Sequence, residues 1–410
     1  MLIYGNTKVV GSCKREIMKF LKSNKNLLAL SILQTNGWAS FLFPIWYFFY
    51  TQTLGMSPQQ STLFLMISFV FQLIFEIPTG VIADVKGRMF SYRLGLFLSL
   101  ISILPVFITK DFRILMLTCV VNGLGLAMTS GCLAPITHSV FMEIHPDDKP
   151  LQDKALRMYN SKLHAFLFVF RAICVLLGGF LYTINPFYPI AALALFTLFI
   201  FICSMIINIK VDNKKSSKKL HKEDVLNFLK NNSNVTSFLV LSGILAMLLN
   251  AGWEMFSPLF GTDNLNYIQL GLFFAALSLI SGLFPLISGS MINKFGHKVS
   301  IVLSLTSSLL SVIIMGHLVY PFNLLVIVSI SAASGPLNVI TNSYIQTHSP
   351  NSIQSTILSI SSALAMTFSF VIVQLDGWLL TRYSPLDSVK MLVLPVLVIY
   401  LIGLFIMRKI

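Results

Sequence analysis

Charge is what this chain lacks. Of its 410 residues only 11% are Asp, Glu, Lys or Arg, while 55% are hydrophobic. Soluble domains carry roughly 25% charged residues, so a composition this poor in charge argues for lipid as the solvent. Acids are the scarcest, 15 against 29 bases. Cysteine is sparse too. Cys13, Cys119, Cys132, Cys174 and Cys203 show no paired spacing, which excludes a disulfide framework and a cysteine metal site. Four of them fall in apolar runs and read as small packing residues. No nucleophile–base pair, metal-ligand cluster, phosphate loop or ATP-binding motif is present, so an enzyme is not expected and neither is a cofactor. A cleavable leader is not expected either, because the first long apolar run begins near Leu27 and is long enough to span a bilayer.

What the chain has in abundance is long apolar runs, and its mean hydropathy is +0.80. About 20 apolar residues cross a bilayer. Twelve runs of that kind lie near 27–50, 60–83, 89–108, 112–135, 159–183, 187–209, 235–260, 266–288, 299–319, 322–345, 353–376 and 389–407. In lipid the backbone must satisfy its own hydrogen bonds, so these runs are helices. The expected class is an all-α, multi-pass membrane protein.

The formal net charge of +14 suggests nucleic acid only until the bases are placed. With the N-terminus in the cytoplasm, 24 of the 29 fall on that side. Lys110, Arg113, Arg382 and Lys390 fall on the other, and Arg171 lies within a span. This is the positive-inside pattern. It puts both termini in the cytoplasm, accounts for the basic balance, and leaves no reason to expect nucleic acid.

Residues 210–234 form the one long hydrophilic connection and divide the spans six and six. The expected organisation is a cytoplasmic N-terminal segment (1–26), a first bundle (27–209), a linker (210–234) and a second bundle (235–410). Lys14–Lys22 has Ile17, Phe20 and Leu21 at helical spacing. That suits a short helix on an anionic membrane surface or an ordinary basic flank. A short amphipathic helix is predicted around Val225–Leu229.

The most specific motif is Phe75-Glu76-Ile77-Pro78-Thr79-Gly80-Val81-Ile82-Ala83-Asp84-Val85-Lys86-Gly87-Arg88, where an apolar helix stops in Gly, acid and base. Gly289-Ser290-Met291-Ile292-Asn293-Lys294-Phe295-Gly296-His297-Lys298 echoes it. The glycines suit close packing and a tight turn. Other features repeat as well: Asn36-Gly37-Trp38 with Phe41 and Pro44 matches Asn250-Ala251-Gly252-Trp253 with Phe256 and Pro258. Gly179-Phe180-Leu181 and Gly377-Trp378-Leu379 close the fifth and eleventh spans. Repeats in one order support two related bundles.

The loop motif resembles that of the major facilitator superfamily of transporters, in its version from 12-helix bacterial drug and antibiotic exporters. The resemblance implies two six-helix bundles that rock about a midplane site. It also implies that Gly80, Asp84, Gly87 and Arg88 form a conformational switch clamping the cytoplasmic ends of the bundles. The alternative for these four is simple helix termination.

Ionisable groups within spans are costly and usually functional. Glu254, beside Trp253 in the seventh span, is a candidate for proton or cationic-substrate binding. Glu76 is a candidate for proton coupling or for a latch. Arg171 could contact an anionic substrate, pair with a carboxylate, or bond carbonyls. Asp376 closes the predicted eleventh span and reads as structural. Trp38, Trp253, Asn36 and Asn250, at matching places in the halves, are further candidates for substrate binding, with packing as the alternative.

Three departures from the exporter pattern stand out. Cys119 occupies the place of the fourth-span arginine, Phe170, Cys174 and Val175 replace glycines and proline of the fifth-span motif, and Asn293 replaces the acid of the second loop. The expected function is proton-coupled efflux, by alternating access, of an amphiphilic drug- or antibiotic-like compound, self-immunity export included. The alternative is proton-coupled uptake of a small nutrient, since fold does not fix function. Expected partners are a small-molecule or peptide-like substrate, protons and membrane lipid. A monomer in the bacterial inner membrane is expected.

Overall fold

A computed structural model describes residues 25–144, 149–207, 222–260, 266–317, 325–332, 341, 344–345, 348–350 and 353–408. These residues are helical, with no strand among them. Ten of the described helices are long and apolar enough to cross a membrane.

The first span is broken. It begins as α1 (Lys25–Gln34), tightens into a 3₁₀ turn (Thr35–Trp38), and runs without regular helix to α2 (Trp46–Phe48) and a π turn (Phe49–Thr53). The predicted continuous helix over 27–50 therefore does not form. Gly37 weakens the helix, and Pro44 removes a donor and crowds the preceding turn. The freed groups bond locally: Phe43 N–H to the Ser40 carbonyl at 3.2 Å and Ile45 N–H to the Leu42 carbonyl at 3.0 Å. Non-helical backbone is tolerated at membrane depth where protein covers it, and Phe41 and Ile45 are buried here.

The second span, α3 (Pro58–Lys86), starts at a capping box: Gln60 N–H donates to Ser57 Oγ, and Ser57 N–H donates to Gln60 Oε1. It is followed by α4 (Arg88–Ile103), α5 (Phe112–Thr129), α6 (Leu133–Ile144), α7 (Lys149–Ile184) and α8 (Tyr188–Ile206). Asp111 caps α5 by accepting from Arg113 N–H at 2.8 Å. The fourth span continues through a turn at Gly131 into α6, and α7 starts ten residues before its predicted boundary. At 1.5 Å per residue, the 36 residues of α7 exceed a hydrocarbon core of ~30 Å.

In the second half come α9 (Lys222–Asn231), α10 (Ser233–Phe260), α11 (Tyr267–His317), α12 (Gln354–Arg382) and α13 (Pro385–Met407). Helix α9 is the short linker helix predicted around 225–229. Helix α11 holds two predicted spans joined at Gly296, which has φ 79° and ψ 170°. The counterpart joint, between α3 and α4, is the single residue Gly87 with φ 98°. Both loop motifs thus turn on a glycine in the left-handed region, where a Cβ is costly. The possible surface helix at 14–22 and most of the predicted tenth span lie outside the described residues.

Lipid as solvent explains the surface. On α7, Phe166, Val169, Ile173, Leu177, Phe180 and Ile184 follow helical spacing and are all exposed, while Leu167, Cys174, Val175 and Tyr182 on the opposite face are buried. Both faces are apolar, which suits a helix packed on one side and wetted by hydrocarbon on the other.

Residues near 27, 87, 233, 296, 353 and 408 define one end of the bundle, the terminal end, where the first and last described residues lie. Residues near 53, 109, 186, 263 and 383 define the remote end. The described hydrogen bonds and ring contacts that join the two halves lie at the remote end or at mid-depth. Gln59 N–H donates to Thr381 Oγ1 at 3.2 Å, Ser257 Oγ to the Pro44 carbonyl at 3.0 Å, and Tyr267 Oη to Gln52 Oε1 at 3.2 Å. Tyr267 also packs edge-on against Tyr182 at 4.6 Å.

Candidate functional site

The break in the first span has a consequence at mid-depth: it turns Phe43 inward. Arg171, on the buried side of α7, places its guanidinium carbon 4.6 Å from the Phe43 ring centre and 5.5 Å from the Trp253 ring on α10. The two rings lie 5.4 Å apart. Phe274 of α11 packs edge-on against Phe43 at 5.0 Å and against Phe256 at 4.8 Å. One base from the first half is therefore boxed by aromatics from both halves.

Ring faces attract the guanidinium charge by about 0.5–2 kcal/mol each, but they do not satisfy its N–H donors. Arg171 Nε is buried with no hydrogen-bond partner. A guanidinium carries five donors and no acceptor, so an unmet donor in such a box can receive a carboxylate, phosphate or other strong acceptor. No carboxylate of this chain pairs with Arg171 among the described residues, which leaves open the first of the three roles its sequence position allowed.

The other candidates divide by position. Trp38 packs edge-on against Phe168 at 4.9 Å and His164 at 6.2 Å, one to two turns below Arg171 on α7. Asn36, in the 3₁₀ turn, has a buried Oδ1 without a partner. Asn250 is engaged: its Nδ2 donates to the Ala246 carbonyl at 2.9 Å and to Ser369 Oγ at 2.8 Å, fastening α10 to α12. Glu254 is buried, and its Oε2 has no hydrogen-bond partner. Glu76 is exposed on α3 and is not brought to Arg171.

Asp376 is a correction. The predicted span ended there, near the surface. Helix α12 instead continues to Arg382, and Asp376 is 1% exposed. The apolar Trp378, Leu379 and Leu380 beyond Gly377 carry the helix another turn and a half. At the loop motif, Gly87 makes the turn and Arg88 begins α4. Asp84 lies on the last turn of α3. A Cβ on Gly80 would meet nothing within 4 Å, so close packing, the reason read from sequence, does not act on Gly80 in this conformation.

Cys119, in place of the fourth-span arginine, packs its Sγ 3.7 Å from the Phe64 and Leu115 carbonyls. Sequence reasoning missed Phe43. The signal available was its position one residue before Pro44 in a span with Gly37.

A family model described as Major Facilitator Superfamily matches residues 27–374. The chain belongs to the Major Facilitator Superfamily. Solved structures agree on the fold. The nucleoside transporter NupG superposes with a TM-score of 0.74 at 12% identity, over 93% of this chain and 99% of that one. A bacterial homologue of the iron transporter ferroportin in the inward-facing state gives 0.67 at 17% identity, over 93% and 97%. A D-xylose-proton symporter gives 0.66 at 14% identity, over 91% and 96%. No curated protein matches in sequence. Membership makes the chain a multi-pass membrane transporter rather than an enzyme, and identities this low carry the fold alone.

Proposed function

We propose that this protein is a proton-coupled secondary transporter that exports an amphiphilic, drug- or antibiotic-like compound from the bacterial cytoplasm by alternating access. The observation that carries this reading is Arg171, whose guanidinium sits at mid-depth between Phe43 of one half and Trp253 of the other with a buried donor unmet. A site of that chemistry suits cargo with an acceptor or anionic group beside an apolar or aromatic body. Trp38 and Asn36, toward the terminal end, are further cargo contacts in this reading.

Rocking of the halves changes the Arg171–Trp253 contact directly, since the two residues belong to different halves. With the termini in the cytoplasm, the joined remote end faces outward, and this conformation is the one that receives cargo from inside. Gly80, Asp84, Gly87 and Arg88 then act in the opposite conformation, where α3 regains a neighbour at Gly80. Glu254, and Glu76 nearer the cytoplasm, couple the cycle to protons. The direction of transport rests on the resemblance of the loop motif to those of exporters, and the driving force on the buried carboxyl of Glu254.

A second reading, proton-coupled uptake, draws on one observation: Arg171 faces Trp253 and not Glu254. Base and acid can then hold substrate and proton at the same time, as symport requires.

The test is growth of a pump-deficient bacterial host expressing the chain against a panel of antibiotics, dyes and antimicrobial peptides. Protection is expected from the native protein and is lost in equally expressed Arg171→Gln, Glu254→Gln and Asp84→Asn proteins. Protection against one compound alone identifies a dedicated exporter. No protection with confirmed membrane expression refutes export and moves the assignment to uptake.

A further inference from the structure

Helices α10 and α12 run side by side, laced by polar contacts at a constant spacing. Ser242 Oγ and Ser361 Oγ lie 2.9 Å apart, a separation of 119 residues. Asn250 Nδ2 reaches Ser369 Oγ at 2.8 Å, again 119 residues on. Equal spacing at successive rungs means parallel helices in fixed register. Extending that register toward the remote end sets Asp376 level with Ser257, one turn beyond Glu254.

At this rung the pattern changes. The lower rungs match donor with acceptor, whereas Glu254 Oε2 and both Asp376 Oδ atoms are buried with no hydrogen-bond partner. Glu254 is 6% exposed and Asp376 1%. Asp376 lies within electrostatic reach of Glu254. Two carboxyls one helical turn apart and out of water, with three of their four oxygens lacking a donor, cannot both stay ionised.

Among the described residues, the groups around them supply no compensating charge. Tyr50 of the first span, buried and packed edge-on against Phe64, lies within electrostatic reach of Glu254. Helix α3 brings neutral Gln59 and Thr62 to Gly377, and residues 325–332 contain nothing titratable. Arg171 is turned onto the Trp253 ring, Tyr267 of α11 onto Gln52, and Arg382 onto Trp378 at 4.3 Å. Asp387 at the start of α13 accepts from Ser384 Oγ at 2.7 Å, and Lys390 lies one turn on.

We propose that Glu254 and Asp376 form a proton-sharing carboxyl pair across α10 and α12, sealed in this conformation and loaded from the remote side when that end opens. A proton completes such a pair without a coordination shell, whereas a hard metal cation requires about six oxygens. The seal is at the same level: Ser257 donates to the Pro44 carbonyl, and Gly377 is pressed on Thr62 and Gln59. Parting the halves at the remote end removes both contacts and admits water to the pair. This deepens the coupling role of Glu254 given above and rests on that reading, with Asp376 as its second member.

The experiment is infrared difference spectroscopy of the full-length protein in vesicles, between acid and alkaline buffer, in H₂O and D₂O. The native protein shows a protonated-carboxyl band that exchanges slowly. Glu254→Gln and Asp376→Asn each remove or shift that band, and Asp376→Glu restores a shifted one. Gly179→Val, which crowds the remote seal, speeds its exchange several-fold. A band unchanged in Asp376→Asn overturns the pair, as does displacement of the band by sodium at fixed pH. Where Asp376→Asn fails to fold, a native band left unmoved by Asp376→Glu overturns it equally. Drug protection is scored separately. Loss of the band in Asp376→Asn without any export by the native chain refutes export and leaves the pair standing, and the converse result refutes only the pair.

Discussion

Gly179 offers the sharpest test of which end of the molecule is closed. It lies near the remote end of α7, and a Cβ built on it overlaps the carbonyl oxygen of Tyr267 and comes within 3.1 Å of the Gly271 Cα. Both obstacles are backbone of α11, so no side chain can swing away and the helices must part. Overpacking of this kind costs about 1–3 kcal/mol. The cost falls only on the conformation in which α7 and α11 touch here. With each 1.4 kcal/mol worth a factor of ten, Gly179→Ala and Gly179→Val raise the remote-open population by about 5- to 150-fold, valine more than alanine.

The reporter is Thr62→Cys in a cysteine-free background. Thr62 is fully buried at the other remote contact, against Gly377, so it is exposed only if the halves move as units. Its labelling by a membrane-impermeant maleimide is expected to rise in proportion to the remote-open population. Unchanged labelling in a Gly179→Val protein that purifies as a monodisperse species refutes the assignment of the seal.

Other outcomes follow from the same contacts. Arg171→Lys keeps the charge but loses the planar donor fork and its stacking on Phe43 and Trp253, so substrate binding by calorimetry weakens at least tenfold, a loss of about 1.4 kcal/mol. Phe43→Ala removes one ring of the box and weakens the same binding about 3- to 30-fold, the range of one cation–π contact. Gly87→Ala and Gly296→Ala each force a Cβ into the left-handed region, at about 1–2 kcal/mol. Both lower the midpoint of thermal unfolding by comparable amounts, and a large difference between them refutes the equivalence of the two turns.

Much of the fold was legible because lipid imposes a simple rule. A segment of about 20 apolar residues that must satisfy its own backbone is a helix, except where packed protein covers the freed backbone groups. The turns at Gly87 and Gly296 were legible as punctuation with a repeat. The first span was not, because Gly37 and Pro44 permit a break without requiring one, and burial of the freed backbone decides. Asp376 was misplaced for a related reason: an acid beside a glycine reads as a helix end, whereas packing of α12 on α10 and α3 carries the helix past it.

Sequence alone therefore determined the solvent, the all-helical class, the repeat and the family motif, since each depends on composition and local spacing. Which charges meet was decided only by tertiary structure. Arg171 lies 82 residues from Trp253 in the chain and Glu254 lies 122 from Asp376, and nothing local distinguishes a buried acid that finds a donor from one that does not. The unwinding at Pro44 that turns Phe43 onto Arg171, and the parallel register of α10 and α12 that sets Asp376 within one helical turn of Glu254, are properties of packing between helices. They place the unmet polar atoms, and with them the chemistry.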